Sequence, residues 1–434
     1  MLLLITAFVP VDAGLLVLTS KILLSLNIMW PIPKVPEKST IASLSYKRWG
    51  IVLISLLIVC AVFGFSLWGM EAYKKVAFLL LLPAFFIWLC LFGAALNRYE
   101  QSRIAHSAWE EETKRTKALW QRWSRQQLSV LGNVILTPEE KGAATFLGPL
   151  SDIPAYPDKV RSLSHSWGSL RVLSDTIDKQ LEQQYPGYRK FLHIIYVLQP
   201  SGWDKKNVSQ IILSQWDLLP EVNCSVECIG KLHDNVDFDG LILVLSFQCW
   251  LADIPRQSSE MVSAQLISSS NFSRRHAVPV LAGLGRVMPV ENDSLEKDLE
   301  MLFEYNRIDK SDLRHVWLSG IHAEVTSKLM QYADRCQWKL PEKHPFNFID
   351  FSFGPPGEMV FPVSLALLVD AAQKTEANQL LIIQASPQSR LLCLITRKLT
   401  YDSGKGITAG TLWILGVSCF NYWTCWYNSV FTVY

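Results

Sequence analysis

The sequence lacks a strong charge of either sign. It has 434 residues, a formal net charge of +2 and only 18% charged side chains. A protein that binds nucleic acid through its overall charge needs a marked basic excess, so this balance indicates no polyanion partner. The charged stretch 97–130 carries Glu110, Glu111 and Glu112 among its basic residues, which argues against nucleic-acid binding there too.

The sequence also lacks a disulfide framework. Its nine cysteines are odd in number and scattered, and Cys60 and Cys90 fall inside apolar runs. This pattern favours a reducing compartment for the globular part. Cys224 and Cys228 have no second Cys or His pair at zinc spacing, so packing on one face of a strand explains them better.

Two short motifs lack the rest of a cofactor or cation site. Asp237 and Asp239 precede Gly240, but the later oxygen ligands of a calcium loop are missing. Gly283 and Gly285 form a glycine pair without a third glycine or a following helix, unlike a dinucleotide-binding loop. We therefore predict no metal-binding and no cofactor-binding residues.

What the sequence does have is apolar residues, 50% of the chain, with a mean hydropathy of +0.18. Residues 51–68 and 77–95 are uncharged runs, each about long enough to cross a bilayer. The short connector predicts a helical hairpin, which places both flanking segments on one side. Basic residues such as Lys47 and Arg98 flank it, so the positive-inside rule predicts a cytoplasmic C-terminal part.

Five segments follow from these shifts in composition. The start could be a membrane helix or a leader preceding Met29, and the end a third membrane segment or an alternative C-terminus. The predicted segments are an apolar N-terminus with an extended stretch (1–50), a transmembrane helical hairpin (51–96), a charged Trp-containing helix and linker (97–160), an α/β domain (161–400) and an atypical apolar tail (401–434).

Apolar runs that alternate with amphipathic stretches predict the α/β domain. Nearly continuous apolar strands indicate a sheet that is covered on both faces. The predicted strands are 191–199, 224–232, 240–247, 277–290, 314–320 and 390–398, and the predicted helices are 207–219, 258–270, 295–306 and 322–338.

The chain is organised around residues 348–384, which predict a strand, a turn, a helix and a second strand. The turn reads Gly354-Pro355-Pro356-Gly357. Such a turn presents backbone N–H groups to a ligand and is where a catalytic residue is expected. Here it holds two prolines and no nucleophile, and Glu358 is the one candidate general base that we identify.

Cys249 is a candidate nucleophile, because it follows a predicted strand near a strand-to-helix junction. A helix N-terminus lowers the pKa of a thiol. The alternative is a half-buried cysteine that packs beside Trp250. Its candidate partners are His276, His315, His322 and His344.

From about residue 210 to 398 the order of elements resembles the thiolase and ketoacyl-synthase superfamily. In that fold two similar α/β halves pack as a layered sandwich, with a histidine in each of two glycine turns of the second half. At the corresponding places this sequence has Ser319-Gly320 and Gly354-Pro355. Without both histidines the thioester oxyanion loses its donors and condensation its base. We therefore predict no catalytic residues.

The whole layout, especially residues 105–160 and 346–398, resembles the type VI lipase adapter family. The resemblance implies a non-enzymatic adapter in the bacterial inner membrane that binds a lipase effector and loads it on the secretion spike protein. Trp203, Trp216 and Trp250 are candidate interface anchors. The alternative is an acyl-transfer or condensing enzyme that uses Cys249.

Overall fold

The computed structural model describes residues 30, 32, 44–165, 169–222, 230–234, 238–250, 258–291, 295–386 and 389–399. The contacts divide the chain between Trp123 and Ser124 into an N-terminal unit and a larger C-terminal unit. The predicted extended stretch lies mostly outside the described residues, and the apolar tail from 401 lies entirely outside them.

The N-terminal unit contains two helices that are long and apolar enough to cross a membrane: α1 (Tyr46–Trp68) and α2 (Met70–Ser124). Gly64 lets Val76 approach α1 closely, and the rings of Trp88 and Phe92 stack within α2. The structure therefore confirms the predicted pair of apolar helices by their length and composition. The charged helix predicted from residue 97 is a continuation of α2.

The C-terminal unit is built on a mixed sheet of ten strands. Their order is β2-β3-β4-β1-β5-β10-β9-β7-β8, and β6 pairs with β10. The strands are β1 (Leu128–Leu136), β2 (Leu192–Leu198), β3 (Leu241–Gln248), β4 (Met261–Ser269), β5 (Ala282–Leu284), β6 (Met288–Glu291), β7 (Leu313–Ser319), β8 (Phe346–Phe348), β9 (Asn378–Ser386) and β10 (Ser389–Thr396).

Helices cover the sheet. The N-cap side chains of Ser169 and Asp204 accept from backbone N–H groups and fix the starts of α3 and α4. The helices of this unit are α3 (Leu170–Gln184), α4 (Lys205–Trp216), α5 (Ser270–Arg275), α6 (Leu295–Asn306), α7 (Ala323–Arg335), α8 (Ile349–Phe353) and α9 (Val360–Thr375).

Two apolar cores lie on opposite faces of the first half of the sheet. Along β3, Ile242 and Val244 join the core around α9, whereas Leu243 and Leu245 join the core under α3 and α4. This alternation follows from the two-residue period of a strand. The expected α/β architecture, with a mixed sheet and helices, is therefore present.

The strand expected to open the stretch 348–384 is wrong, because Ile349–Phe353 form the helix α8. Three further sequence predictions were wrong. Residues 258–270 were expected to be a helix, but Met261–Ser269 form β4, which pairs with β1 and β3. Hydrogen bonds to two neighbours outweigh a weak local helical period. The strand expected at 224–232 does not extend to its end, because residues 230–232 are helical and 223–229 are outside the described residues.

The third difference concerns the border of the α/β domain. We expected residues 97–130 to be helical and the domain to begin at 161, but β1 lies in the middle of the sheet and the C-terminal unit begins at Ser124. The β1 segment is apolar and buried through Val134. A buried strand of this kind has no polar alternation that would separate it from a helix.

The turn 354–357 is a packing junction. A Cβ at Gly354, whose φ is +91°, would overlap the Lys159 carbonyl oxygen and the Ser259 hydroxyl, and one at Gly357 would overlap Gln248 and Ser258. The Ser259 N–H donates to the Pro355 carbonyl at 3.0 Å. The turn therefore connects the start of α9 to Ser258 and Ser259, which directly precede β4.

We expect Gly354→Ala to lower the free energy of unfolding by about 2–5 kcal/mol, through left-handed backbone strain and overpacking. Gly202→Ala is the matched control, because a Cβ there meets no atom within 4 Å. Thermal or denaturant unfolding measures both variants. Equal stabilities of the two variants would contradict the assignment of the turn as a packing junction.

Candidate functional site

A cavity of about 660 Å³ opens at the carboxyl ends of β7 and β8. This volume lies within the roughly 300–1,000 Å³ typical of small-molecule sites, and ligands of α/β sheets bind at such strand ends. The walls are mainly apolar and are formed by Phe146, Leu150, Ile153, Ala155, Pro157, Leu318, Gly320, Ile321, His344, Phe348, Asp350, Phe351 and Ser352.

Asp350 anchors the polar part of the cavity. β7 ends at Ser319, and the chain turns through Gly320, whose φ is +69°. β8, its parallel neighbour, ends at Phe348, and α8 begins at once. The Ser319 hydroxyl donates to Asp350 Oδ1 at 2.6 Å, and the Gly320 N–H donates to Asp350 Oδ2.

Burial raises the pKa of Asp350 above its ordinary value, and the hydrogen bonds from Ser319 and Gly320 oppose this shift. Burial disfavours the charged carboxylate, whereas the two donors favour it. The Asp350 side chain in the cavity is therefore either an ionised carboxylate or a neutral carboxylic acid.

Two buried polar atoms at the cavity have unused hydrogen-bonding capacity. Among the residues that the structure describes, none hydrogen-bonds to His344 Nε2 or to Ser352 Oγ. Ser352 is 1% exposed. Burial lowers the pKa of His344, a hydrogen bond that its imidazole makes to Asn347 opposes this shift, and the ring is neutral near pH 7. Buried polar atoms normally have partners, but both atoms are inaccessible to water, so neither is a contact for a ligand in the cavity.

The segment 147–163 forms the outer wall of the cavity. The Tyr156 N–H donates to the Phe351 carbonyl at 2.7 Å. Arg161 Nη1 donates to the Ser352 carbonyl at 3.2 Å and forms an ion pair with Glu139 at 2.6 Å. These bonds attach the segment to α8 and leave the cavity with a defined shape.

The mouth of the cavity is apolar. Leu150 and Phe351 both line the cavity, and they are 58% and 48% exposed. Large apolar side chains exposed next to a cavity are typical of ligand-binding sites. The rim therefore suits a ligand with a long apolar part.

The structure does not place Cys249 at this cavity. Cys249 follows β3 and packs beside the core under α3 and α4. Burial raises the pKa of its thiol, and the neighbouring Glu260 carboxylate raises it further. A buried thiol with a raised pKa is a poor nucleophile. The packing explanation of Cys249 thus agrees with its environment.

The four candidate histidines are dispersed. His276 packs between the rings of Phe191 and Phe272. His315 lies on β7, where burial and Arg314 lower its pKa. His322 is the N-cap residue of α7, and His344 lines the cavity. In the described part of the chain, none of the four hydrogen-bonds to Cys249 in a nucleophile–base pair.

Other residues singled out from the sequence have structural contacts. Glu358 accepts from the N–H and the hydroxyl of Ser201, both at 3.1 Å, and lies in the solvent. The candidate anchors pack inward: Trp216 donates to the Tyr188 hydroxyl at 2.5 Å, Trp250 donates to the Ser258 carbonyl at 2.6 Å, and Trp203 stacks on Phe247.

The sequence analysis did not identify Asp350 or Ser352 as residues of the site. It considered His344 as a partner of Cys249, which lies outside the cavity. Ser319 is the last residue of β7, and Asp350 lies two residues beyond the end of β8. The carboxyl ends of neighbouring parallel strands meet at one edge. The register Leu318 to Phe348 brings those ends together.

The chain is similar in structure to several condensing enzymes, whereas no protein-family model and no curated protein sequence matches it. One is an acyl-carrier protein in complex with its ketosynthase, from a type II polyketide synthase, at 8% identity and TM-score 0.49, covering 63% of this chain and 100% of that chain. A β-ketoacyl synthase from Burkholderia phymatum has 9% identity and a TM-score of 0.44, and the match covers 63% of this chain and 100% of that chain. The 3-oxoacyl-[acyl-carrier-protein] synthase III from Aquifex aeolicus has 9% identity and a TM-score of 0.40, and the match covers 62% of this chain and 99% of that chain.

These similarities correct the expected function. The sequence led us to expect a non-enzymatic adapter for a lipase effector, but the similar solved structures are ketosynthases and related condensing enzymes. That expectation is therefore contradicted, and the comparison favours the alternative class. At 8–9% identity and TM-scores of 0.49 or less, the similarity does not extend to a reaction. The resemblance to type VI lipase adapters stays a prediction.

We expect Cys249 to react with a maleimide at least about tenfold more slowly than the half-buried Cys336, because each unit of raised pKa lowers the thiolate fraction tenfold. Peptide mass spectrometry of the labelled chain resolves the two sites, and Cys249→Ser identifies the peptide. Faster labelling at Cys249 than at Cys336 would show an activated thiol and contradict the packing assignment.

Proposed function

We propose that the C-terminal unit binds a small molecule with a long apolar chain, such as an acyl chain, in the cavity at the ends of β7 and β8. The observation that carries this proposal is the cavity's composition: apolar walls and an exposed apolar rim, with the side chain of Asp350 among the lining residues. The apolar chain gains free energy by leaving water, at roughly 25 cal/mol per Å² of buried area.

The polar group of Asp350 orients the ligand in this proposal. Asp350 accepts the ligand's hydrogen bond, because the polar atoms His344 Nε2 and Ser352 Oγ are inaccessible to water. All three lie along the wall formed by residues 344–352. A ligand would therefore place its polar end against this wall and its chain against Phe146, Ile153 and Leu318.

The proposal assigns binding and no reaction. Acyl transfer or condensation through Cys249 is the alternative, and it requires a reactive thiol in a place where burial holds the proton on sulfur. The maleimide experiment above separates the two functions, since a condensing enzyme of this kind needs Cys249 to be the fastest of the compared thiols.

We expect Ile153→Trp to weaken binding of a fluorescent dodecyl probe at least about tenfold, because the larger ring fills the space that the chain needs. Leu219→Trp is the matched control, at a side chain that is 69% exposed and does not line the cavity. Fluorescence titration measures both variants beside the wild type. Undiminished binding by Ile153→Trp, with an intact circular dichroism spectrum, would refute the assigned cavity.

We also infer that α1 and α2 cross a membrane as a hairpin, in a multi-pass protein whose C-terminal unit is cytoplasmic. Their length and apolar surface support this proposal, and so do the basic residues that flank them, by the positive-inside rule. The bacterial inner membrane is the compartment that we propose.

A membrane-impermeant maleimide should label Cys336, which lies in the C-terminal unit, only after spheroplasts are permeabilised, because the inner membrane shields a cytoplasmic domain. Alkaline carbonate should leave the chain in the membrane fraction, since both apolar helices remain in the bilayer. Labelling in sealed spheroplasts would reverse the orientation, and release by carbonate would exclude the spanning hairpin.

A further inference from the structure

The walls of the cavity contain no lysine or arginine among the described residues that line it. The titratable side chains there are Asp350 and His344. Asp350 contributes a negative charge or none, and His344 is neutral near pH 7 because burial lowers its pKa. The lining therefore has nothing that compensates a negative charge on a ligand.

A basic side chain does reach the neighbouring helix, but it is already neutralised. Arg161 donates to the carbonyl of Ser352 at 3.2 Å and pairs with Glu139 at 2.6 Å, where both side chains are largely buried. Its guanidinium group also lies over the Tyr156 ring at 4.4 Å. Arg161 is not among the lining residues, so it offers no free positive charge to the cavity.

From this charge distribution we propose that the cavity selects an uncharged amphiphile, a long apolar chain that ends in a neutral hydrogen-bonding head such as a hydroxyl, and rejects the corresponding carboxylate. The proposal rests on the ligand-binding function proposed above and specifies its ligand class. A neutral hydroxyl donates to the Asp350 carboxylate.

A carboxylate head would fail on both counts. It has no proton to donate to Asp350, and it would bring a second negative charge next to that carboxylate, in a lining that has no lysine or arginine. Burying an ionised group without a partner is far more costly than burying a hydrogen-bonded hydroxyl. The discrimination therefore depends on the head group and is independent of the chain.

Two photoreactive probes test this proposal on the full chain in lipid nanodiscs. One is a dodecanol and the other a dodecanoate, with the same diazirine at the same carbon, used at about pH 9 so that the carboxylate is ionised. Mass spectrometry quantifies crosslinks to the segments 146–157 and 344–352. Crosslinks to α1 and α2 measure how much of each probe enters the bilayer and normalise the cavity signal.

We expect the normalised cavity crosslinking of the dodecanol to exceed that of the dodecanoate by at least about tenfold. Ile153→Trp should abolish the cavity signal of the dodecanol and leave the helix signal unchanged. Asp350→Asn should reduce the ratio between the two probes, because it removes the repelling charge. The amide oxygen can still accept from the Gly320 N–H, and the amide nitrogen can donate to the Ser319 hydroxyl oxygen. The wild-type ratio tests the proposal even if Asp350→Asn fails to fold.

The outcomes separate the two levels of the proposal. Equal crosslinking of both probes, or a preference for the dodecanoate, overturns the selection of an uncharged head while the cavity keeps its binding function. An unchanged ratio in folded Asp350→Asn also overturns it, since another group would then discriminate. Cavity crosslinks of both probes no stronger than in Ile153→Trp overturn the binding function and the ligand class together.

Discussion

The C-terminal unit depends on one buried helix, α9. Eleven of its sixteen residues are buried, and it contacts β1, β4 and β5 as well as β9 and β10. The Ala366 carbonyl accepts from Asn133 Nδ2 on β1 at 2.9 Å. Because the helix is apolar all round, it is stable only between two layers of structure. It thereby joins both halves of the sheet through one continuous core.

The position of α9 fixes its surroundings, including the candidate site. The turn 354–357 delivers the chain to the start of α9 and packs against the ends of β3 and β4. The short helix α8 lies just before that turn, and it carries Asp350 and Ser352 to the edge of β7. The cavity is therefore a consequence of how the chain enters its central helix. The turn, whose position is that of an active-site turn although no catalytic residue was predicted there, holds this geometry in place.

The described site has the composition of a binding pocket more than that of a nucleophilic active site. Its polar atoms lie on the wall 344–352, whereas Cys249 lies outside it, in surroundings that raise the thiol's pKa. The similar solved structures are condensing enzymes at 8–9% identity, and this chain is a mixed sheet with helices on it. A shared fold constrains where a ligand binds and leaves the chemistry to the side chains present.

The sequence by itself determined the two apolar helices, most strands and helices of the C-terminal unit, and the glycine–proline turn, because these depend on local composition and periodicity. It did not determine β4 or the place of β1, since a strand buried between two partners has no alternation to read. Only the tertiary structure decided the site. Ser319 and Asp350 are 31 residues apart and meet because β7 and β8 pair in parallel, and burial, which no local pattern encodes, raises the pKa of Asp350 and of Cys249.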